Sequence, residues 1–453
     1  MEFHKLTKTT LQELCDGNKI KYAKSWNKPK LIELLKKCET EQKQTLVKKV
    51  SKPKKNKNNT NSKHFTIAET FVGCGGSHFG FKKAGFDAIF VNDIWDDALK
   101  TLKLNDKDIE DHRVILGDLN TVTADKLNDL NIDYSNLDIL IGGVVCKGFS
   151  LAGVRNPLDP RNYLYLEQLR LVKLLKPKIS IIENVPGMIN MRILKKQKGE
   201  HILPLCKELD DVCNSIKINR GKLIALNKKG EVDKELEKTL AADKIRRVKL
   251  ENDLDDYKYG VLDDIEKTYI ELGYKVYKEV LCCNDYDCAT SRRRIFIVAI
   301  RNDLDIEWEY PQPTSNNPTV RDALDSLDLE NLNNPENDPD NVPMNHKSTT
   351  VEKFKKIVAG VKQEGGYFSR GSNQRLAWDT PAPTLVPGHS AFQVHPEQHR
   401  SITIREGATI TSFPNDFKFY GSHSSRCVQI GNAICPNMAY HLALQCKKYL
   451  ENL

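Results

Sequence analysis

A cysteine, a glutamate and two arginines are the residues of this 453-residue chain best placed to do chemistry. Cys146 follows the apolar run LDILIGG, so it falls just past the carboxyl end of a predicted strand, the edge at which open α/β sheets bind ligands. Glu183, in KISIIENVPG, leaves a second strand at the same kind of end, and Arg292 and Arg294, in SRRRIFIVAI, enter a third. The thiol can attack carbon, the carboxyl can give or hold a proton, and the guanidinium groups can pair with a substrate or with that carboxylate. If they converge, they form a centre for covalent catalysis. Taken alone, a cysteine is more often a buried, inert thiol.

A second group of residues points to a nucleoside-containing cofactor. In FVGCGGSHFGF, Gly73, Gly75 and Gly76 follow a strand and precede a helix, where a ligand can come close to backbone amides. The third glycine position of the dinucleotide pattern is His78, which argues against a nicotinamide dehydrogenase. Asp93 stands about twenty residues on, after the next strand, where a carboxylate can hold ribose hydroxyls. Asp118, in GDL, follows a short third strand.

The elements that must position these residues are legible as texture. FTIAETF, AIFVND, LDILIGG and KISIIEN alternate with helical stretches, which predicts a mainly parallel α/β sheet with helices on both faces. Residues 191–259 interrupt this order with a lysine-, glutamate- and aspartate-rich segment. Val232, Leu236, Leu240, Ile245, Val248 and Leu250 give it a narrow apolar stripe, so it is predicted to be an inserted helical arm. Residues 306–395 are rich in Pro, Asn and Asp without a period and predict a smaller, irregular domain, with 396–453 returning to the first. Ahead of Phe65, Leu6, Leu11 and Leu14 and then Leu31, Ile32, Leu34 and Leu35 predict two short helices in residues 1–40, and 41–64 a polar linker.

Composition narrows the classes. Hydrophobic residues make up 39% of the chain, enough for a large core. No stretch approaches the roughly 18–20 apolar residues of a membrane span, and MEFHKLTKTTLQEL lacks the layout of a secretory signal. Twelve cysteines without a Cys-x-x-Cys pair predict reduced thiols inside a cell and no metal site. The net charge of +8 is matched by eight lysines between Lys43 and Lys63, with no acidic residue among them. Such a segment suits a polyanion or serves as a solvated linker, and KKVSKPKKNK also has the makings of a nuclear import signal.

These motifs, in this order, resemble those of the DNA (cytosine-5) methyltransferases. The resemblance runs through Phe71, Gly73 and Gly75 (FxGxG), GGVVCKGFS, ENV, SRRRIF, TIREGATITSFPNDF and QIGNAICPNMA, with the spacer RLAWDTPAPTLVPG, over roughly 320 residues. Residues 6–35 separately resemble the SAP motif, a helix-extended-helix DNA-binding module. The family resemblance implies a Rossmann-like class I fold for 65–305, a target-recognition domain over 306–395, S-adenosylmethionine as methyl donor and double-stranded DNA as partner. A monomer without metal is expected.

The resemblance also implies roles. Cys146 would add to C6 of cytosine, because C5 is a poor nucleophile until that addition makes it part of an enamine. Glu183 would protonate N3. Arg292 would hold the base and the carboxyl geometry, and Arg294 would support the loop. Phe71, Gly73 and Gly75 would contact the methionine and ribose parts of the cofactor, Asn432 its methionine end, Asp93 its ribose hydroxyls, and Ile94, Trp95 and Asp118 its adenine. Lys147, Arg370, Asn373 and Arg375 would contact DNA. The chain departs from the family at Val144 and Val145, where two prolines are usual, and at Lys147, Thr290 and Cys435. A DNA-binding relative with impaired catalysis and a tRNA-modifying enzyme are the alternatives.

Overall fold

The computed structural model describes residues 7, 9–10, 27–30, 64–144, 159–194, 200–327, 334–361, 374–385 and 392–453. The chain forms two units, Met1–Ser62 and Lys63–Leu453. In the first, Thr7 Oγ1 accepts from Thr10 N–H and Asn27 Oδ1 from Lys30 N–H, the side-chain bonds of two helix starts. The leucines of the SAP-like motif and the linker 41–63 lie outside the described residues.

The second unit is built on strands β1 (Phe65–Thr70), β2 (Phe86–Asp93), β3 (Val114–Leu116), β4 (Ile139–Gly143), β5 (Ile179–Asn184), β8 (Tyr274–Cys282) and β9 (Arg293–Arg301), in the spatial order β3-β2-β1-β4-β5-β9-β8. A separate two-stranded ribbon pairs β6 (Arg192–Leu194) with β7 (Lys258–Gly260). The helices are α1 (Gly76–Lys83), α2 (Asp96–Asn105), α3 (Ala124–Asp129), α4 (Leu164–Leu175), α5 (Leu203–Lys229), α6 (Lys234–Asp253), α7 (Val261–Glu271), α8 (Val320–Asp325), α9 (Ser348–Lys355), α10 (Ile404–Ile410), α11 (His423–Asn432) and α12 (Pro436–Glu451).

β1 to β5 are parallel, as the alternation predicts. β9 is antiparallel to both its neighbours, β5 and β8. The sequence gives no period marking β8, whose mixed run YKVYKEVLC is half exposed, so that strand is found only in the structure.

The central strands read as continuous apolar runs because both faces are covered. Phe296, Val298 and Ile300 of β9 join one core with α12, and Ile295, Ile297 and Ala299 join the other with α4 and α7. α12 lies directly against α1: a Cβ on Gly80 would meet the Ala439 Cβ at 2.6 Å, so a glycine is what lets the helices close. A third core gathers Val320, Leu324, Leu376 and Phe392 around Ile404, Phe413, Phe417 and Phe419. It packs the irregular region onto the C-terminal segment.

Candidate active site

The reversal of β9 brings the site together. A strand running with its neighbours would put Arg292 and Arg294 at the far edge. Run backwards, β9 opens beside the carboxyl end of β5, with Asn184 opposite Ile295 and Glu183 opposite Phe296. Arg294 Nε lies 2.9 Å from Glu183 Oε1. The contact is a buried, charge-assisted pair. Burial raises the Glu183 pKa above the ordinary carboxyl value, against the pull of Arg294 and Arg292.

The division of labour expected between the arginines is therefore corrected. Arg294 pairs with the carboxyl. Arg292, 2% exposed, donates to the carbonyls of Gly431 (2.7 Å) and Asn432 (3.3 Å), and so ties the start of β9 to the end of α11.

β4 enters the same edge. A Cβ on Gly143 would lie 3.5 Å from Glu183 Oε2, and one on Gly142 would strike Thr70 Oγ1 at 2.5 Å. Val144 follows, buried, and its carbonyl accepts from Asn184 Nδ2 (3.1 Å), while Asn184 Oδ1 accepts from Val185 N–H (2.8 Å). Asn184 thus fixes the exit of β4 to that of β5. It was missed in the sequence, where its position directly after Glu183 at a strand end was the available signal. Cys146 and Lys147 lie outside the described residues, two and three positions beyond Val144.

On the other side of β1 the glycine turn is held open. Phe71, Gly73 and Gly75 have φ of 50°, 57° and 96°. Asp93 Oδ2 accepts from Gly73 N–H (2.8 Å) and Oδ1 from Trp95 N–H (2.9 Å), so this carboxylate shapes the loop with part of its acceptor capacity. Its burial pushes its pKa up. Asn92, also missed, ties β2 to the exit of β3 through the carbonyls of Ile115 and Gly117.

Ile94 is 71% exposed and Leu116 is 54% exposed at neighbouring strand ends, Trp95 is half-buried, and Asp118 is exposed. An added Cβ at Gly73 would meet nothing within 4 Å. Open space above a glycine turn, carboxylates for hydroxyl and amino groups, and apolar side chains left to solvent fit an adenosyl group. Asn432 ends α11 with its side chain exposed.

The family's usual glutamine position, Thr290, is buried and donates to the Ala382 carbonyl (2.9 Å). Cys435 is buried behind the arginines. Hydrogen bonds from Cys283 and Cys288 lower its pKa against the effect of burial.

Arg375 is a second correction. Its guanidinium donates to the carbonyls of Ile357 (2.9 Å), Phe354 (2.7 Å), His395 (2.7 Å) and Gln398 (2.8 Å), and the residue is 6% exposed. It staples the irregular region from within and does not face DNA. Arg370 and Asn373 lie outside the described residues. Among the described residues no helix is long and apolar enough to cross a membrane, and no group of three His, Cys, Asp or Glu side chains is arranged to hold a metal ion.

The family model for C-5 cytosine-specific DNA methylase matches residues 65–212 and 251–448. Type II methyltransferase M.DdeI of Desulfomicrobium norvegicum is 27% identical over 85% of this chain and 89% of its own. Type II methyltransferase M.Sau96I of Staphylococcus aureus is 29% identical over 86% and 77%. The crystal structure of an E. coli prophage-encoded DNA modification methyltransferase has the same fold, with a TM-score of 0.55 and 21% identity, covering 85% of this chain and 99% of that one.

Proposed function

Because the chain belongs to the C-5 cytosine-specific DNA methylase family, we propose that it methylates C5 of cytosine in duplex DNA through a covalent bond to Cys146. The observation that carries this reading is the buried Glu183–Arg294 pair beside the end of β4, three residues before the thiol. S-adenosylmethionine, the methyl donor, supplies a methyl group on a sulfonium centre that leaves as a neutral thioether.

The residues of the chain do the rest. The Cys146 thiolate adds to C6, and the C5–C6 π pair becomes available at C5. The Glu183 carboxyl, whose pKa burial raises, delivers a proton to N3 and stabilises the adduct. After C5 has taken the methyl group its proton leaves to a base, the bond to Cys146 breaks as the C5–C6 double bond returns, and N3 gives its proton back to the Glu183 carboxylate. Arg294 holds the carboxyl and Arg292 the final motif against it. Phe71, Gly73, Gly75, Asp93, Ile94, Trp95, Asp118 and Asn432 line the cofactor site.

A cytosine in a duplex reaches this edge only when swung out of the stack. We assign target recognition to 306–395, with Arg370 and Asn373 at the DNA together with Lys147. The SAP-like segment 1–40 and the linker 41–64 add contacts to the backbone. The type II names of the relatives support a restriction–modification setting inside a cell, and the enzyme is read as a monomer.

The test is transfer of labelled methyl from S-adenosylmethionine to DNA and, in parallel, to tRNA. Transfer to DNA is expected, and Cys146→Ala should abolish it while cofactor binding persists. DNA containing 5-fluorocytosine should trap a gel-resistant adduct. Near-normal activity of Cys146→Ala, or tRNA as the sole acceptor, would overturn the reading.

A further inference from the structure

The long hairpin α5–α6 lies between the two stretches matched by the family model, with residues 213–250 outside both. It leaves the body close to Glu183: β5 ends at Asn184, the β6–β7 ribbon forms the stalk, and α5 follows. Its base is held by Leu194, Cys206, Leu209, Leu250 and Leu254. Beyond Asn219 no described residue of the hairpin is buried until Leu250, so its outer half does not serve the core. With 27 residues, α5 reaches about 40 Å.

Charge along the hairpin is segregated. The base, with Glu208, Asp210, Asp211, Asp253, Asp255 and Asp256, is acidic, and the connecting turn and start of α6 carry Glu231, Asp233, Glu235 and Glu237 beside Lys234 and Lys238. Between them, residues 216–229 and 240–249 hold nine lysines and arginines against one acidic residue, Asp243. Elsewhere the unit is not basic. Residues 1–63 carry 17 lysines and six acidic residues, a net +11, so 64–453 sum to −3 of the total +8. A positive band on a net negative unit is a local field with a preferred ligand sign.

The two helices form a groove in this band. Ile216, Leu240 and Val248 line it with Arg220, Lys244, Arg247 and one acidic residue, Glu251. Arg247 is paired with Glu251 (2.8 Å), but Arg220 and Lys244, both exposed, form no ion pair among the described residues. The apolar lining supports the aliphatic stems of these side chains while their charged ends reach solvent.

We infer that the middle of the α5–α6 hairpin is a second DNA-contact surface, which holds the phosphate backbone of the duplex outside the site where the cytosine reacts. The inference rests on the DNA-methylating reading above and adds a place where DNA is held. The hairpin rises from the edge that the duplex must approach to reach Glu183, and its exposed cations match the spaced negative charges of a backbone without reading bases.

The test is binding of the full-length protein to mixed-sequence duplexes of about 12 and about 40 base pairs, with KCl varied, the shorter being close to the length of α5 at roughly 3.4 Å per pair. Arg220→Glu/Lys244→Glu should flatten the slope of log affinity against log salt on the long duplex by about 2 or more, at about 0.9 for each phosphate no longer neutralised. Binding to the short duplex and the melting temperature should hold. Arg220→Lys/Lys244→Arg should keep the wild-type slope. A wild-type slope in the charge-reversed protein overturns the inference and leaves the groove to an acidic protein or an RNA. Methyl transfer to plasmid DNA is read separately. Its absence in the wild-type protein, with the slope change present, would overturn the methylation reading and sustain the hairpin surface.

Discussion

Glu183 sits in two opposed fields: burial favours its neutral form, and Arg294 at 2.9 Å and Arg292 favour its charged form. Its pKa is raised on balance, which suits a group that must arrive protonated. Removing the proton by Glu183→Gln should lower kcat by about 10²- to 10⁴-fold. Arg294→Gln is more diagnostic. With the cation gone, burial acts unopposed on that side and the pKa rises further. Because the acid works only while protonated, the alkaline limb of kcat/KM against pH should move to higher pH, whatever the loss in absolute rate. An unmoved limb would show that another group titrates. Much of this site was legible from residue type and strand ends, since Glu183 and the arginines fall where a sheet edge can gather them. The partition between Arg292 and Arg294 was not legible, because it depends on the direction of β9, which a run such as RRIFIVAI does not encode. Arg375 was misread for a related reason. It lies in a polar, loop-rich stretch that suggests exposure, yet four carbonyls remote in sequence surround its guanidinium.

At the scale of elements, the cofactor side is braced by a buried charge cluster that sequence alone left unread. His78, in the first turn of α1, bridges Glu69 at the end of β1 (Nδ1, 2.8 Å) and Asp106 at the end of α2 (Nε2, 2.7 Å). Ser77 adds a bond to Glu69. The position had value in the sequence only as the missing third glycine of a dinucleotide pattern. Burial alone would disfavour the imidazolium, but the hydrogen bonds to Asp106 and Glu69 outweigh it and raise the His78 pKa to about 9. A raised folded-state pKa gives stability that is fully present below the unfolded value, near 6.5, and is lost as pH rises through about 9. The upper bound is about 3 kcal/mol, at 1.36 kcal/mol per pKa unit. Melting temperature should therefore fall between pH 6.5 and 9 in the wild-type protein, and His78→Gln should flatten that fall. An equal decline in both would remove the cluster as its cause. The parallel order β3-β2-β1-β4-β5 and the helical character of the insertion could be predicted from period and alternation. β8, edge-placed and mixed in composition, carried no such signal.

At the scale of the whole molecule, charge is divided unevenly along the chain. Residues 64–453, which hold every residue assigned to catalysis, sum to −3, while residues 1–63 carry +11. A net negative catalytic unit and a polyanionic substrate repel at long range, with a Debye length of about 8 Å at physiological salt. Close contacts such as the hairpin band act only once the duplex is near. The lysines from Lys43 to Lys63 have no acidic residues among them to neutralise their field, so they can attract DNA before any specific contact forms. Removing residues 1–63 should slow association, weaken DNA binding and flatten its salt dependence, the slope falling by about 0.9 for each phosphate those lysines neutralise. Because the catalytic groups all lie beyond the cut, methyl transfer at saturating DNA and low salt should survive. Stopped-flow association and equilibrium binding across a KCl series, with the full chain and 64–453 side by side, measure both effects. An unchanged salt slope in the truncated protein would mean that the lysines only tether the first unit and that DNA capture belongs to the net negative body, through local bands of positive charge.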